Sequence, residues 1–338
     1  MTRPAGPWRL VVAVVLVGLL APACTGRTAP AASQPATATA PAPTAAADPT
    51  GTPPPASAAP STEASATPTS APTPAVLIAA GDISTCGNDG DEATALLVEA
   101  RDGTVAVLGD SVYDRGTPVE FAECYEPTWG RFKDRTRPAP GNHEYLTPGA
   151  AGYFDYFGAS AGEPGLGYYS YELGAWHVVV INSQCWEVGG CGAGDAQALW
   201  LEADLRDHPA ACTLAYWHVP RFSSGLRGSS TLVQAYWNLL HEAGAEIVLT
   251  GHDHSYERFA PQDAQGNPDP ERGLRQFSAG TGGASHYGFP LGLPNSEVRD
   301  STTFGVLVLT LYQDRYEWEF VPVAGKTFVD RGSGDCHG

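Results

Sequence analysis

The sequence predicts one α/β domain over residues 75–338, about 264 residues long. Three observations carry that expectation. Apolar, β-branched runs alternate with amphipathic segments of helix length, two segments break this rhythm by reading as strand, turn, strand, and the first quarter of the chain lacks a globular composition.

Taken in order, the domain begins with "AVLIAAGD" (75–82), an apolar run read as a buried strand. A helix is expected at 91–101 with Ala95, Leu96 and Val98 inward, followed by the strand "TVAVLGD" (104–110). Helical pattern returns at "DAQALWLEADLRDH" (195–208), before the strand "CTLAYWH" (212–218). The segment "TLVQAYWNLLHEAG" (231–244) places Leu232, Ala235, Tyr236, Leu239 and Leu240 on one face and stops at Gly244, ahead of the strand "AEIVLTGHDH". Strands and helices alternating at these lengths give βαβ units and a largely parallel sheet. "YYSYELGAWHVVVINS" (168–183) and "TFGVLVLTLYQDRYEWEFVPV" (303–323) add antiparallel hairpins, expected in a second sheet. No internal repeat is visible.

Residues 1–24 read as an export signal, with Arg3 and Arg9 ahead of "LVVAVVLVGLL" and a cleavage point at Ala23/Cys24. That apolar stretch is too short for a stable bilayer span and suits a signal core. "LAPAC" resembles a bacterial lipobox, which would make Cys24 the lipidated first residue; Ala21 and Pro22 depart from the usual pattern, and an ordinary secretory signal is the alternative. Either way the protein is expected to be exported, and held at the membrane only through a lipid on Cys24. Residues 25–74 are almost all Ala, Pro, Thr and Ser, a composition that cannot bury enough apolar surface to order itself, so a disordered linker is expected. It would span roughly 40 Å as a coil and up to roughly 150 Å in polyproline form.

Seven cysteines are an odd number for an exported chain, and setting Cys24 aside leaves six. Three disulfides are then expected among Cys86, Cys124, Cys185, Cys191, Cys212 and Cys336, with about fifteen pairings open and Cys185–Cys191 the local choice. The net charge of −18 excludes a nucleic-acid partner, which needs a basic footprint. An anionic substrate would have to be drawn by a local positive centre such as a metal pair.

Five short segments recur at strand ends: "GD" (81–82), "GDSVY" (109–113), "GNHE" (141–144), "WH" (217–218) and "GHDH" (251–254). The carboxyl ends of neighbouring strands in a βαβ sheet face one crevice, and glycine lets the backbone turn so that the next residue projects into it. These positions offer Asp82, Asp110, Tyr113, Asn142, His218, His252 and His254. Hard oxygen donors mixed with imidazole suit two first-row transition metals about 3.5–4 Å apart.

In this order the five segments resemble the calcineurin-like metallophosphoesterases, and specifically the purple acid phosphatases. "GHDHSYER" (251–258) is similar to that family's Gly-His-x-His-x-Tyr-Glu-Arg, "HVPRFSSG" (218–225) to its loop after the histidine ligand, and "GTGG" (280–283) to its glycine turn. The resemblance covers about 75–325 and implies a sandwich of two mixed β-sheets flanked by helices. It also implies that Asp82, Tyr113 and His254 hold Fe(III), that Asn142, His218 and His252 hold a divalent Fe, Zn or Mn ion, and that Asp110 bridges them. A phenolate is a hard donor that favours Fe(III); the competing reading packs Tyr113 beside the strand and lets Asp114 supply a carboxylate. Ser84 stands where the family's first motif has a second glycine, which leaves the shape of that loop open.

The expected reaction is hydrolysis of a small-molecule phosphate monoester. Two cations hold the phosphate oxygens and acidify a water to hydroxide, which attacks phosphorus in line. His143 is the candidate acid for the leaving group, Glu144 either orients His143 or caps its turn, and Arg221 either steadies the anion or is a solvated loop arginine. His286, after the glycine turn, is a candidate for the pocket wall, whereas His177, His208, His241 and His337 read as structural. Two alternatives stand beside this: a phosphodiesterase or nucleotidase on the same scaffold, and an envelope lipoprotein that binds metal or phosphate without turnover.

Overall fold

The computed structural model describes residues 73–337. The expected signal (1–24) and nearly all of the expected linker (25–74) lie outside the described residues.

Two mixed β-sheets stack face to face. The six-stranded sheet runs β13 (Arg331–Asp335), β12 (Arg315–Pro322), β11 (Gly305–Leu311), β1 (Ala75–Ala80), β2 (Thr104–Leu108), β3 (Thr136–Ala139). Its β1, β2 and β3 are parallel, while β11, β12 and β13 pair antiparallel on the other side of β1. The seven-stranded sheet runs β10 (Ser296–Asp300), β8 (Tyr256–Phe259), β9 (Arg275–Ala279), β7 (Ile247–Thr250), β6 (Cys212–Tyr216), β5 (Trp176–Val180), β4 (Tyr169–Leu173). There β5, β6, β7 and β9 are parallel and the remaining pairs antiparallel. Both expected hairpins form, but they lie in different sheets: β4–β5 edges the seven-stranded one and β11–β12 belongs to the six-stranded one. Periodicity fixes that two runs pair locally and says nothing about which sheet receives them.

The central strands read as unbroken apolar runs because both of their faces are covered. Leu77 and Ala79 of β1 face the other sheet, where they join Leu108, Val178, Leu214, Leu249, Phe277, Leu309 and Phe320. Ile78 and Ala80, one residue out of phase, pack outward with helix α1 (Gly90–Glu99) and with Phe121, Trp129 and Tyr153. On the opposite outer face α4 (Ala196–Asp207) and α5 (Gln234–Glu242) cover Val179, Ala215 and Val248. The shorter helix α3 (Ala151–Phe157) lies on the outer side of the six-stranded sheet, and the one-turn α2 (Pro118–Glu120) packs against α3. Thr117 and Glu120 form a reciprocal capping box on α2.

Two helix faces differ from the expected ones. In α1, Thr94, Ala95 and Val98 are buried while Leu96 is 53% exposed. In α5 the buried stripe is Tyr236, Trp237 and Leu240, led by Val233, and Leu232 is exposed. Wide aromatic side chains can claim a helix face that a reading weighted towards leucine assigns elsewhere. Gly244 ends α5 as expected, with φ +79°, a left-handed conformation that costs glycine nothing.

Three disulfides staple the domain: Cys86–Cys124, Cys185–Cys191 and Cys212–Cys336. The local pair is the expected one. Cys212–Cys336 spans 124 residues and ties the end of the chain to the start of β6.

Candidate metal centre

Every candidate ligand sits where a strand ends and the chain turns. Asp82 follows β1, Asp110 and Tyr113 follow β2, Asn142 follows β3, His218 follows β6, and His252 and His254 follow β7. Three of these residues, Asp82 (φ +58°), Asp110 (φ +47°) and His252 (φ +72°), adopt the left-handed region, uncommon for any residue but Gly although Asn, Asp and His enter it more readily than others. Strain of this kind, worth on the order of 1–3 kcal/mol per residue, persists where the surroundings over-determine the backbone, and it clusters at functional sites. Gly141 is required sterically, because a Cβ there would fall on the backbone and carboxylate of Asp110.

All seven candidate side chains converge, in two groups. Tyr113 Oη lies 2.7 Å from Asp82 Oδ1 and 3.0 Å from His254 Nε2, and His254 Nε2 lies 3.1 Å from Asp82 Oδ1. In the second group His218 Nε2 is 3.1 Å from Asn142 Oδ1 and 3.1 Å from His252 Nδ1. Asp110 Oδ2 stands between them, 3.0 Å from Tyr113 Oη and 3.2 Å from His218 Nε2. The donor atoms of Asp110, His218 and His252 all lie within 4.8 Å of one another. Asp114, the competing carboxylate, is exposed on the outside of the turn.

The remaining valences of these groups are occupied, which aims the free ones inward. His218 Nδ1 is 2.9 Å from the Leu108 carbonyl, so it carries the hydrogen and leaves Nε2 as the donor towards the cluster. His254 Nδ1 contacts Ser285 Oγ at 2.6 Å, and the Tyr287 ring stacks on His254 at 3.9 Å. Asp110 Oδ1 accepts the His143 backbone N–H at 2.8 Å, and Asp82 Oδ2 that of His252 at 2.8 Å. Ser285 and Tyr287 were not singled out from the sequence; their position after the glycine turn is the only signal they give.

Glu144 does more than cap its own turn. It is fully buried and accepts three backbone N–H groups, from Gly141 (2.7 Å), Asp110 (3.1 Å) and Ser111 (2.7 Å), joining the second ligand loop to the third. Ser84, the departure from the family motif, continues the parallel pairing beyond β1 through a bridge to Val112, which fixes the shape of that loop. Arg221 is a correction: it is buried, donates to the Ala264 carbonyl at 2.6 Å and lies over the Phe222 ring, so it packs the loop rather than facing the cluster. His286 stacks on Phe304 at 4.0 Å.

His143 stands at the rim. Its Nδ1 is 2.5 Å from the Asp114 carbonyl, so Nδ1–H donates there and Nε2 is the free end, 3.9 Å from Asp110 Oδ2. Its ring lies 4.4 Å from that of Tyr113.

The electrostatics fit a cationic occupant. Burial, then the charges of Asp110 and Asp82, push the Tyr113 phenol well above its ordinary range. It ionises only if a cation offsets both carboxylates. Burial opposes charge on His218, yet the Asp110 carboxylate beside it carries it up to about 10. Burial and that neighbouring imidazolium drive His252 down to about 4. Two buried carboxylates, three imidazoles, a phenol and an amide oxygen gather around one spot. The donor set matches first-row transition metals.

Fold and site together define a metallophosphoesterase-type domain, and the calcineurin-like phosphoesterase family model matches residues 69–256, more than half of the chain. The chain belongs to that family. It is 29% identical over 202 residues to purple acid phosphatase 23 of Arabidopsis thaliana, a match covering 48% of this chain and 43% of the relative. Purple acid phosphatase 15 of the same plant is 26% identical over 219 residues, covering 54% and 40%. The chain thus spans less than half the length of these curated relatives. Among solved structures, purple acid phosphatase PPD1 from yellow lupin (Lupinus luteus) seeds superposes with a TM-score of 0.61 at 17% identity, over 77% of this chain and 53% of that one. At that identity the likeness establishes the two-sheet fold.

Proposed function

We propose that this chain is an exported phosphatase that hydrolyses phosphate monoesters at a pair of metal ions, an Fe(III) and a divalent Fe, Zn or Mn ion. The observation that carries the reading is Asp110 Oδ2 standing 3.0 Å from Tyr113 Oη on one side and 3.2 Å from His218 Nε2 on the other, the position of a shared ligand. Asp82, Tyr113 and His254 would hold the ferric ion, and Asn142, His218 and His252 the divalent one. When bound, such a pair offsets the charge of the phosphoryl oxygens and makes a nearby water acidic.

The chain's own groups do the rest. The hydrogen bonds to Leu108, Ser285 and the His143 and His252 amides hold the donors in place before substrate arrives, so little reorganisation is needed at the moment of reaction. His143, anchored by Nδ1–H to the Asp114 carbonyl, presents Nε2 at the rim, where a proton on it can pass to the departing alcohol oxygen. Export is supported by the disulfides, which persist in oxidising compartments. Among the described residues no helix is long and apolar enough to cross a membrane, and a lipid on Cys24 is the proposed tether.

The test is turnover of a chromogenic aryl phosphomonoester and its diester by the purified, metal-replete chain. Faster monoester cleavage supports the proposal. A preference for the diester assigns a phosphodiesterase instead, and no cleavage of either leaves a binding protein.

A further inference from the structure

We propose that His177, Asp204 and His208 form a second metal site of the zinc class, separate from the candidate centre, clasping the edge of the seven-stranded sheet to the end of α4. The donor atoms of these three side chains lie within 4.8 Å of one another. His177 Nε2 is 2.8 Å from Asp204 Oδ2, and His208 Nδ1 is 3.2 Å from Asp204 Oδ1 and 3.0 Å from the Asp204 backbone carbonyl, a hydrogen bond that the ion would displace as Nδ1 gives up its proton. Tetrahedral zinc with bonds of about 2.0–2.1 Å puts its ligand atoms roughly 3.3 Å apart, so small shifts of the ligands admit the ion. The two imidazole planes are 9° apart, with ring centroids at 5.2 Å.

The surroundings are those of a ligand set. Glu172, paired directly across the β4–β5 hairpin from His177, lies 2.8 Å from His177 Nδ1 and fixes a hydrogen there, which leaves Nε2 to face Asp204. A carboxylate behind the far nitrogen of a histidine is the usual outer partner of a metal-bound imidazole. Ser170 Oγ donates to Asp204 Oδ1 at 2.7 Å and orients the carboxylate. Asp204 and His208 are four residues apart at the C-terminal end of α4, where the helix dipole favours positive charge. Two carboxylates and a net charge of −18 add to that preference. His177 is buried, while His208 is half-exposed and opens on a groove of about 350 Å³ with Pro209 and Leu239, which supplies an entry path and a solvent ligand.

In the metal-free form a proton between His177 and Asp204 plays the cation's part; binding releases it, with no change of oxidation state. Two imidazoles with one carboxylate select zinc over calcium or magnesium, which take all-oxygen shells. The bound ion would tie the edge strand β4, through its hairpin partner, to the helix that covers the sheet.

The experiment is equilibrium dialysis of the full, centre-loaded chain against zinc, alongside His208→Ala and Asp204→Asn. The wild type should retain one equivalent more than either variant at unchanged phosphoesterase turnover. At tenfold excess over its Kd, zinc should raise the wild-type Tm by about 3–5 °C more than that of His208→Ala. Equal zinc uptake and equal Tm shifts in wild type and His208→Ala would overturn the proposal and leave a hydrogen-bonded clasp. Uptake is read independently of phosphatase activity, so the two proposals stand or fall separately.

Discussion

Glu144 holds the backbone of Asp110: its Oε2 accepts the Asp110 N–H at 3.1 Å and that of Gly141 at 2.7 Å, while Oε1 takes Ser111 at 2.7 Å. One buried carboxylate thus sets the spacing between two strand-end loops that carry candidate ligands. Burial, then repulsion from Asp110, pushes Glu144 up to about 7.

Replacing Glu144 by Gln turns one of its acceptors into an amide that faces a backbone N–H. Leaving a buried polar group unpaired costs on the order of 1–3 kcal/mol. The expected outcome is a lower urea midpoint together with weaker metal retention on dialysis. Unchanged retention would mean that the loops keep their spacing without this acceptor.

Tyr113→Phe removes only the oxygen that meets Asp82, Asp110 and His254. If the phenolate binds Fe(III), the purified wild type carries a visible charge-transfer band and the variant is bleached. A colourless wild type with two zinc or manganese ions removes the ferric assignment while leaving phosphatase chemistry in place. Absorbance with metal analysis decides it.

His143→Ala should lower kcat by about 10²–10⁴-fold, the usual worth of a placed proton donor, with metal content unchanged. The loss should shrink for substrates whose leaving alcohol is acidic enough to depart unprotonated. A uniform loss across leaving groups would argue for positioning instead.

Glu246 provides a pH test away from the centre. It is 2% exposed, accepts N–H groups from Thr213 and His337, and burial carries it up to about 7. Its ordinary value is 4.5, so between about pH 4.5 and 7 the folded state holds the proton more tightly than the unfolded one. The slope of stability against pH is negative there, and the group's contribution declines by about 2–3 kcal/mol before levelling off. Glu246→Gln, which keeps an oxygen acceptor without ionising, should flatten the decline in denaturant titrations at several pH values.

A lone Gly-Asp at a strand end is more often a turn and a lone His-x-His a polar loop, but five such ends in this order were legible together, and the positions they flagged do meet in space. The glycine spacing, however, is silent about Glu144. Only an account of the many N–H groups in two turning loops, each needing a partner, would have pointed to the buried carboxylate two residues after Asn142. Cys185–Cys191 was readable from its short loop, whereas Cys86–Cys124 and Cys212–Cys336 join residues 38 and 124 apart, and only the tertiary fold brings them together. Leu96 was assigned inward on hydrophobicity alone, but the stripe through Asp91, Thr94, Ala95 and Val98 takes the buried side. Arg221 read as either an anion binder or a solvated loop arginine, yet it is buried, with an aromatic ring and a carbonyl claiming its guanidinium.

Asp82, Asp110, Tyr113 and Asn142 leave the ends of one sheet, and His218, His252 and His254 leave the ends of the other. The proposed centre would therefore rivet the seam between two sheets that the chain must first make and dock. No fragment shorter than the stretch from 82 to 254 contains it, and no early intermediate can assemble it. Capture of the proposed metals would then follow the docking of the two sheets.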